Sequence, residues 1–268
     1  MTTGPKTVAF FHAHPDDEAI FTAGTMARLA ADGHHVVLVM ATGGEHGLGA
    51  SNCGDGFDRG AVGAIRRIET ERAAAILGIA TVIACGFEDS GIDGENPDGL
   101  AHQRTDHAAD RVAELLGAHD IGPDVWVTYD PRGIYGHPDH IAVHEIGRAV
   151  AELTAPATLY EATVDREYLH FVETHVVIEA GLPDHPRELG LAGTDLGSAT
   201  LEVDVELDVT SMLDIKRAAM AAHASQIPPH STAMRMAPAA FAAVYGYEWY
   251  RRIGPPNLLD GLAAGSTR

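Results

Sequence analysis

Short, uninterrupted apolar runs alternate along this chain with longer stretches whose apolar residues recur every three or four positions. "TVAFF" (7–11) predicts a buried strand, and "AIFTAGTMARLAADG" (19–33) a helix stopped at Gly33. "HVVLVMAT" (35–42) predicts a second strand, which runs into the glycine-rich stretch 43–60. A helix is expected over 61–78, a strand over 81–87, a helix over 105–119 and a strand over 124–130. Strands that alternate with helical patterns predict βαβ units, and hence parallel strands joined by helices.

The C-terminal third breaks this rhythm. "LEVDVELDV" (201–209) alternates apolar and acidic residues with period two, as a half-exposed strand does, and 211–226 is helical in pattern. The remainder is rich in proline and aromatics, and "YGYEWY" (245–250) reads either as a pocket wall or as the packed face of a tail helix. The fold class expected is α/β: a Rossmann-like, mostly parallel sheet with helices on both faces. One domain spans 1–268, with a core over about 1–165 and a less regular cap over about 166–268.

Composition narrows the function. A net charge of -20 excludes a nucleic-acid partner, whose phosphates it would repel, and disfavours an anionic membrane surface. Cys53 and Cys85 are too few for a disulfide framework, which points to a reducing compartment. The N-terminus lacks the charged leader and long apolar run of a secreted or membrane-inserted chain, so the expected location is cytoplasmic. The partner expected is a small molecule, and self-association is left open.

In an open parallel sheet, ligands bind at the carboxyl ends of the strands. Four polar clusters follow four expected strands: "HAHPDDE", "GGEHG", "EDSG" and "DPRGIYGHPDH". They should therefore share one rim. His14 and Asp17 lie three apart across a strand-to-helix turn, with Asp16 between them. A second His-Pro-Asp supplies His137, Asp139 and His140. Pro and Asp are favoured at helix starts anyway, so either element alone could be a solvated helix N-terminus. Two such elements, each after a parallel strand, favour a metal site. Imidazoles and a carboxylate suit zinc, and three protein ligands leave a position for water. His12, two before His14, could be a fourth ligand but reads rather as a support behind the ligands or as core packing, and His144, one helical turn after His140, as the less favoured ligand.

"AHPDDEA" together with "GHPDH" resembles the PIG-L/LmbE superfamily of metal-dependent N-acetylglucosaminyl deacetylases. "RRIETERAAAILG", "EDSG" and "KRAAMAAHASQ" extend the likeness to about residue 226. The resemblance implies His14, Asp17 and His140 as ligands of Zn2+, with Fe2+ as the alternative. It implies Asp16 as general base, His137 as oxyanion donor or acid, and Asp139 as the group that orients His137. Arg66 and Asp89 match positions that contact the sugar in that family, and Tyr135 matches a mobile active-site tyrosine on the substrate side; a solvated helix residue is the plain alternative for Arg66. After "HPDDE" the chain reads "AIFTAG", which differs from the mycothiol-pathway members, so the resemblance transfers no particular substrate.

The chemistry agrees with these roles. Amide hydrolysis needs a nucleophile at neutral pH, a base beside it and a donor for the oxyanion. The function expected is removal of an N-acetyl group from an N-acetylglucosamine-type sugar. The alternatives are an amidase for a larger conjugate and a non-catalytic metal or sugar binder.

Overall fold

The computed structural model of the chain describes residues 4–47, 59–172 and 196–265. Cys53 and most of the glycine-rich stretch 43–60 lie outside the described residues. The first half runs β1 (Thr7–His12), α1 (Ala23–Ala31), β2 (His35–Thr42), α2 (Arg59–Leu77), β3 (Thr81–Phe87), α3 (Thr105–Ala118) and β4 (Val125–Tyr129). Then follow α4 (Pro138–Thr154), β5 (Thr158–Thr163), α5 (Arg166–Val172), β6 (Val205–Asp208), α6 (Leu213–Ala222), α7 (Pro238–Tyr245), β7 (Tyr247–Ile253) and α8 (Leu258–Gly265).

The strands form one sheet in the order β3-β2-β1-β4-β5-β7-β6. The first five are parallel, and β7 and β6 continue antiparallel. The expected α/β fold is therefore present. β1, β2 and β4 are buried along nearly their whole length, as strands covered on both faces must be. Crossovers through α1 and α2 lead outward from β1 to β3, and the crossover through α3 returns to the other side of β1; such parallel crossovers are right-handed as a rule. This puts α1 and α2 on one face and α3 on the opposite face. α6 packs on α1 and α2, and α4 packs on α3.

The reversal of strand order lies between β1 and β4, and a ligand crevice belongs at such a switch point. Phe10 of β1 pairs in register with Leu38 of β2 and Val127 of β4, so these strands end on a common rim.

The C-terminal third differs from the expected cap, because it adds two strands to the sheet instead of only covering it. Trp249 lies buried in β7, not in a tail helix. β7 was obscured in the sequence by its charges, which are paired: Glu248 with Lys216 at 2.7 Å, and Arg251 with the buried Glu161 of β5 at 3.4 Å. No helix among the described residues is long and apolar enough to cross a membrane.

Candidate metal centre and active site

β1 ends in a turn that carries the first motif. Asp16 has φ 111, a backbone conformation costing a non-glycine residue about 1–3 kcal/mol, and such strain gathers at functional sites. A wide π-type turn over Glu18–Thr22 then opens into α1, another feature common where function distorts a helix. The turn is pinned from several sides. The Asp16 N–H donates to Glu18 Oε2 at 3.0 Å, and Glu18, fully buried, meets His223 Nε2 at 2.5 Å. Arg66 donates through Nη2 to the Pro15 carbonyl, through Nη1 to the Gly44 carbonyl at 2.7 Å, and stands 3.4 Å from Asp16 Oδ2. Arg66 is thus no solvated helix residue; it ties the loops after β1 and β2 together and faces Asp16.

The second motif follows β4. Asp130 accepts from the N–H groups of Arg132 and Ile134 and from the Thr163 hydroxyl, which shapes the turn before His137. Gly133 lies at φ 58, and a Cβ there would come within 2.6 Å of His140 Cβ. The turn therefore rests directly on His140. His137 caps α4: its Nδ1 accepts from the Asp139 N–H at 3.2 Å, which leaves the neutral ring's proton on Nε2.

The two motifs meet. His14, Asp17 and His140, all buried, bring one ligand atom each within 4.8 Å of the others. Asp17 Oδ2 lies 3.6 Å from His14 Nδ1 and 3.2 Å from His140 Nε2. The rings of His14 and His137 are 4.6 Å apart. Tyr135 places its hydroxyl 3.2 Å from His140 Nε2 and remains half-exposed at the rim.

The Asp139 carboxylate differs from expectation. Its Oδ2 faces His14 Nε2 at 3.1 Å and accepts the Ser90 N–H at 2.9 Å, while Oδ1 accepts the Ala101 N–H at 3.2 Å. It orients His14, and its hydrogen bond to His137 is made by the backbone N–H. Residues two apart on a helix do not face one another, which is why the sequence neighbour is not the partner. His14, His137 and Asp139 also cluster closely enough to hold an ion. The Asp139 oxygens are already committed to three N–H groups, however, so the set with Asp17 is the better site.

Electrostatics test whether this set suits a cation. Burial opposes charge on His14, yet hydrogen bonds to Asp139 and Asp17 and the nearby Asp89 outweigh it and raise its pKa to about 10. Asp16, Asp17, Asp89 and Asp139 crowd this rim with Arg66 among them, so the cluster calls for added positive charge. Two imidazole nitrogens and a carboxylate oxygen, with a carboxylate behind one imidazole, match the donor set of a catalytic zinc. Burial lifts Asp16 to about 7, with Arg66 pulling down and Asp17 adding to the rise. His137 is lowered to about 4 by burial and by His14 and His140, so its ring is neutral at pH 7.

The remaining expected residues also have clear places. Asp89 accepts the His46 N–H at 3.1 Å and the Gly91 N–H at 2.8 Å, and reaches within 3.8 Å of His14. His12 is held between the Tyr129 hydroxyl and Thr22, each at 2.8 Å, in the core beneath the site. His144 turns to the Tyr129 carbonyl at 2.9 Å, away from the ligands. The sequence points to no role for Glu18, Asp130 or Ser90, and it places His223, in "HASQ" (223–226), only in a pocket wall. Glu18 stood in plain view as the third acid of "HPDDE", but nothing local named its partner.

Residues 9–151 match the GlcNAc-PI de-N-acetylase (PIG-L) family. A 1D-myo-inositol 2-acetamido-2-deoxy-alpha-D-glucopyranoside deacetylase of Salinispora arenicola is 35% identical over 99% of this chain and 93% of its own length. The likeness therefore runs past residue 226 into the C-terminal strands. An N,N'-diacetylchitobiose deacetylase from Pyrococcus horikoshii superposes with TM-score 0.58 at 21% identity, covering 92% of this chain and 84% of that one. A 4-carboxy-2-hydroxymuconate hydratase from Pseudomonas putida superposes equally, TM-score 0.58 at 20% identity over 94% and 98% of the two chains. Structural likeness at this level speaks for the fold alone, whereas the sequence match is decisive for kinship: the chain belongs to the PIG-L family of de-N-acetylases.

Proposed function

We propose that this protein is a metal-dependent hydrolase that removes the N-acetyl group from a 2-acetamido-2-deoxyglucose-type sugar. The observation that carries this reading is the pairing of a three-ligand cluster, His14, Asp17 and His140, with a separate carboxylate, Asp16, held beside it in a strained turn and lifted to about 7. A mere metal-binding module has no need of that second carboxylate. Relatives such as the Salinispora arenicola deacetylase, whose name specifies an inositol-linked acetamido sugar, support the substrate class and make that glycoside a first compound to try.

A divalent ion, zinc or ferrous iron, held by His14, Asp17 and His140 would supply Lewis acidity and bring the pKa of water towards about 7. Asp16, with a pKa near the working pH, takes the proton from water as its oxygen bonds to the acetyl carbon. The His137 Nε2–H is free to donate to the oxyanion, because Nδ1 is occupied by the Asp139 N–H. The C–N bond then breaks, and the proton stored on Asp16 passes to the leaving amine, giving acetate and a free amino sugar. Asp139 keeps His14 in register. Arg66 faces Asp16, and together with Tyr135 and Asp89 it borders the space left for substrate.

Acetate release from N-acetylglucosamine glycosides, with the protein metal-loaded, chelator-stripped and reloaded, tests the reading. Activity should vanish on stripping and return on reloading. Metal-independent turnover, or no turnover of any acetamido sugar, would sink it.

A further inference from the structure

A cavity of about 330 Å³ opens beside the metal donors, with Asp16 and Asp17 in its wall. The rest of its lining is dominated by Phe21, Leu169, Val244, Tyr247 and Trp249. Its inner charges cancel, since Lys216 and Glu248 are paired at 2.7 Å. Arg66, Asp89 and His137 do not line it among the described residues. The site is thus two-sided: polar groups stand on one flank of the donors and an apolar chamber on the other.

An acetyl methyl group fills little of such a space, which reaches the range of about 300–1,000 Å³ that holds whole ligands. A polyol would fit it badly. Hydroxyls pressed against aromatic and aliphatic walls lose water without gaining partners, and that is costly. An alkyl chain or flat ring gains by the transfer instead.

We propose that this cavity is a subsite for an apolar substituent of the substrate, an alkyl chain or aromatic ring borne by the amide-containing sugar. The inference rests on the deacetylase reading above and refines its substrate class. Two attachments deliver such a group to the chamber: a longer acyl chain on the scissile nitrogen, or an apolar aglycone on the sugar.

Two compound series on the intact, metal-loaded protein distinguish these sources. One is glucosamine carrying acetyl, butyryl or hexanoyl on nitrogen; the other is N-acetylglucosamine as its methyl, hexyl or phenyl glycoside. Amine release gives kcat/KM and calorimetry gives Kd. In one series the longest or aromatic member should gain at least about tenfold over the shortest, a modest return for burying several methylenes. Val244→Asp, which puts a charge in the chamber, should bring that ratio towards one, with its thermal midpoint as the check on folding. If that variant does not fold, the wild-type series decides. Flat responses in both series, or a preference for an inositol glycoside over the hexyl and phenyl ones, would overturn the proposal. If no compound is hydrolysed the deacetylase reading fails, and the binding series then decides the cavity separately.

Discussion

Replacing Glu248 by alanine removes a single carboxylate that serves five donors, the most distant being the Tyr250 hydroxyl at 3.4 Å. Its oxygens accept the Gly24 N–H and the Thr25 N–H at 2.8 Å each, the Thr25 hydroxyl at 2.6 Å and the Lys216 ammonium at 2.7 Å. Glu248 and Lys216 are both buried. The largest loss is the ammonium left without a counter-charge, worth about 3–5 kcal/mol. The two N–H groups lie at the start of α1, where loss of an N-terminal acceptor costs about 0.5–2 kcal/mol. These losses share partners and do not simply add, so the expected destabilisation is about 4–6 kcal/mol. Urea unfolding by linear extrapolation measures it directly. Lys216→Met in the Glu248→Ala background should recover most of the loss, because the uncompensated charge goes with it. A loss below about 1 kcal/mol, or no recovery in the double variant, would refute the argument.

Three further outcomes concern the site. Asp16→Asn should keep the metal and the fold while turnover falls by about 10²–10⁴-fold, the range for a lost general base; near-normal turnover would remove Asp16 from that role. Asp139→Asn should weaken metal binding by about 10–100-fold in chelator competition, as expected for a carboxylate behind a ligand imidazole. Unchanged affinity with reduced turnover would instead return Asp139 to His137. Gly133→Ala should cost about 1–3 kcal/mol in strain alone and lower metal retention by pushing on His140, read by unfolding and elemental analysis together.

Much of this molecule was legible before its structure. β1, β2 and β4 announce themselves because strands covered on both faces carry little but apolar residues. The ligand cluster is legible for a related reason: each half of it lies within a few residues, at the mouth of such a strand. β5 and β7 were missed because Glu161, Glu248 and Arg251 break their apolar character. Those charges are neutralised across the sheet or against a helix, by partners that no local pattern identifies. The resemblance pairs Asp139 with His137, but the contact of its carboxylate with His14 had no local signal, because the fold brings that ring from 125 positions away.

The His223–Glu18 contact bridges 205 positions and the Glu248–Gly24 bond 224. The turn that carries Asp16 is therefore completed by residues synthesised more than two hundred positions after it. Loop closure over such distances slows folding, and a nascent chain must keep "HPDDE" without its partners until α6 and β7 emerge. A polypeptide ending after α4 would contain every proposed ligand and still lack the residues that hold the catalytic turn in its strained form. Synthesis of the site and acquisition of its activity are consequently separated in time by about a hundred residues of translation, on the order of 5–20 s at ordinary elongation rates.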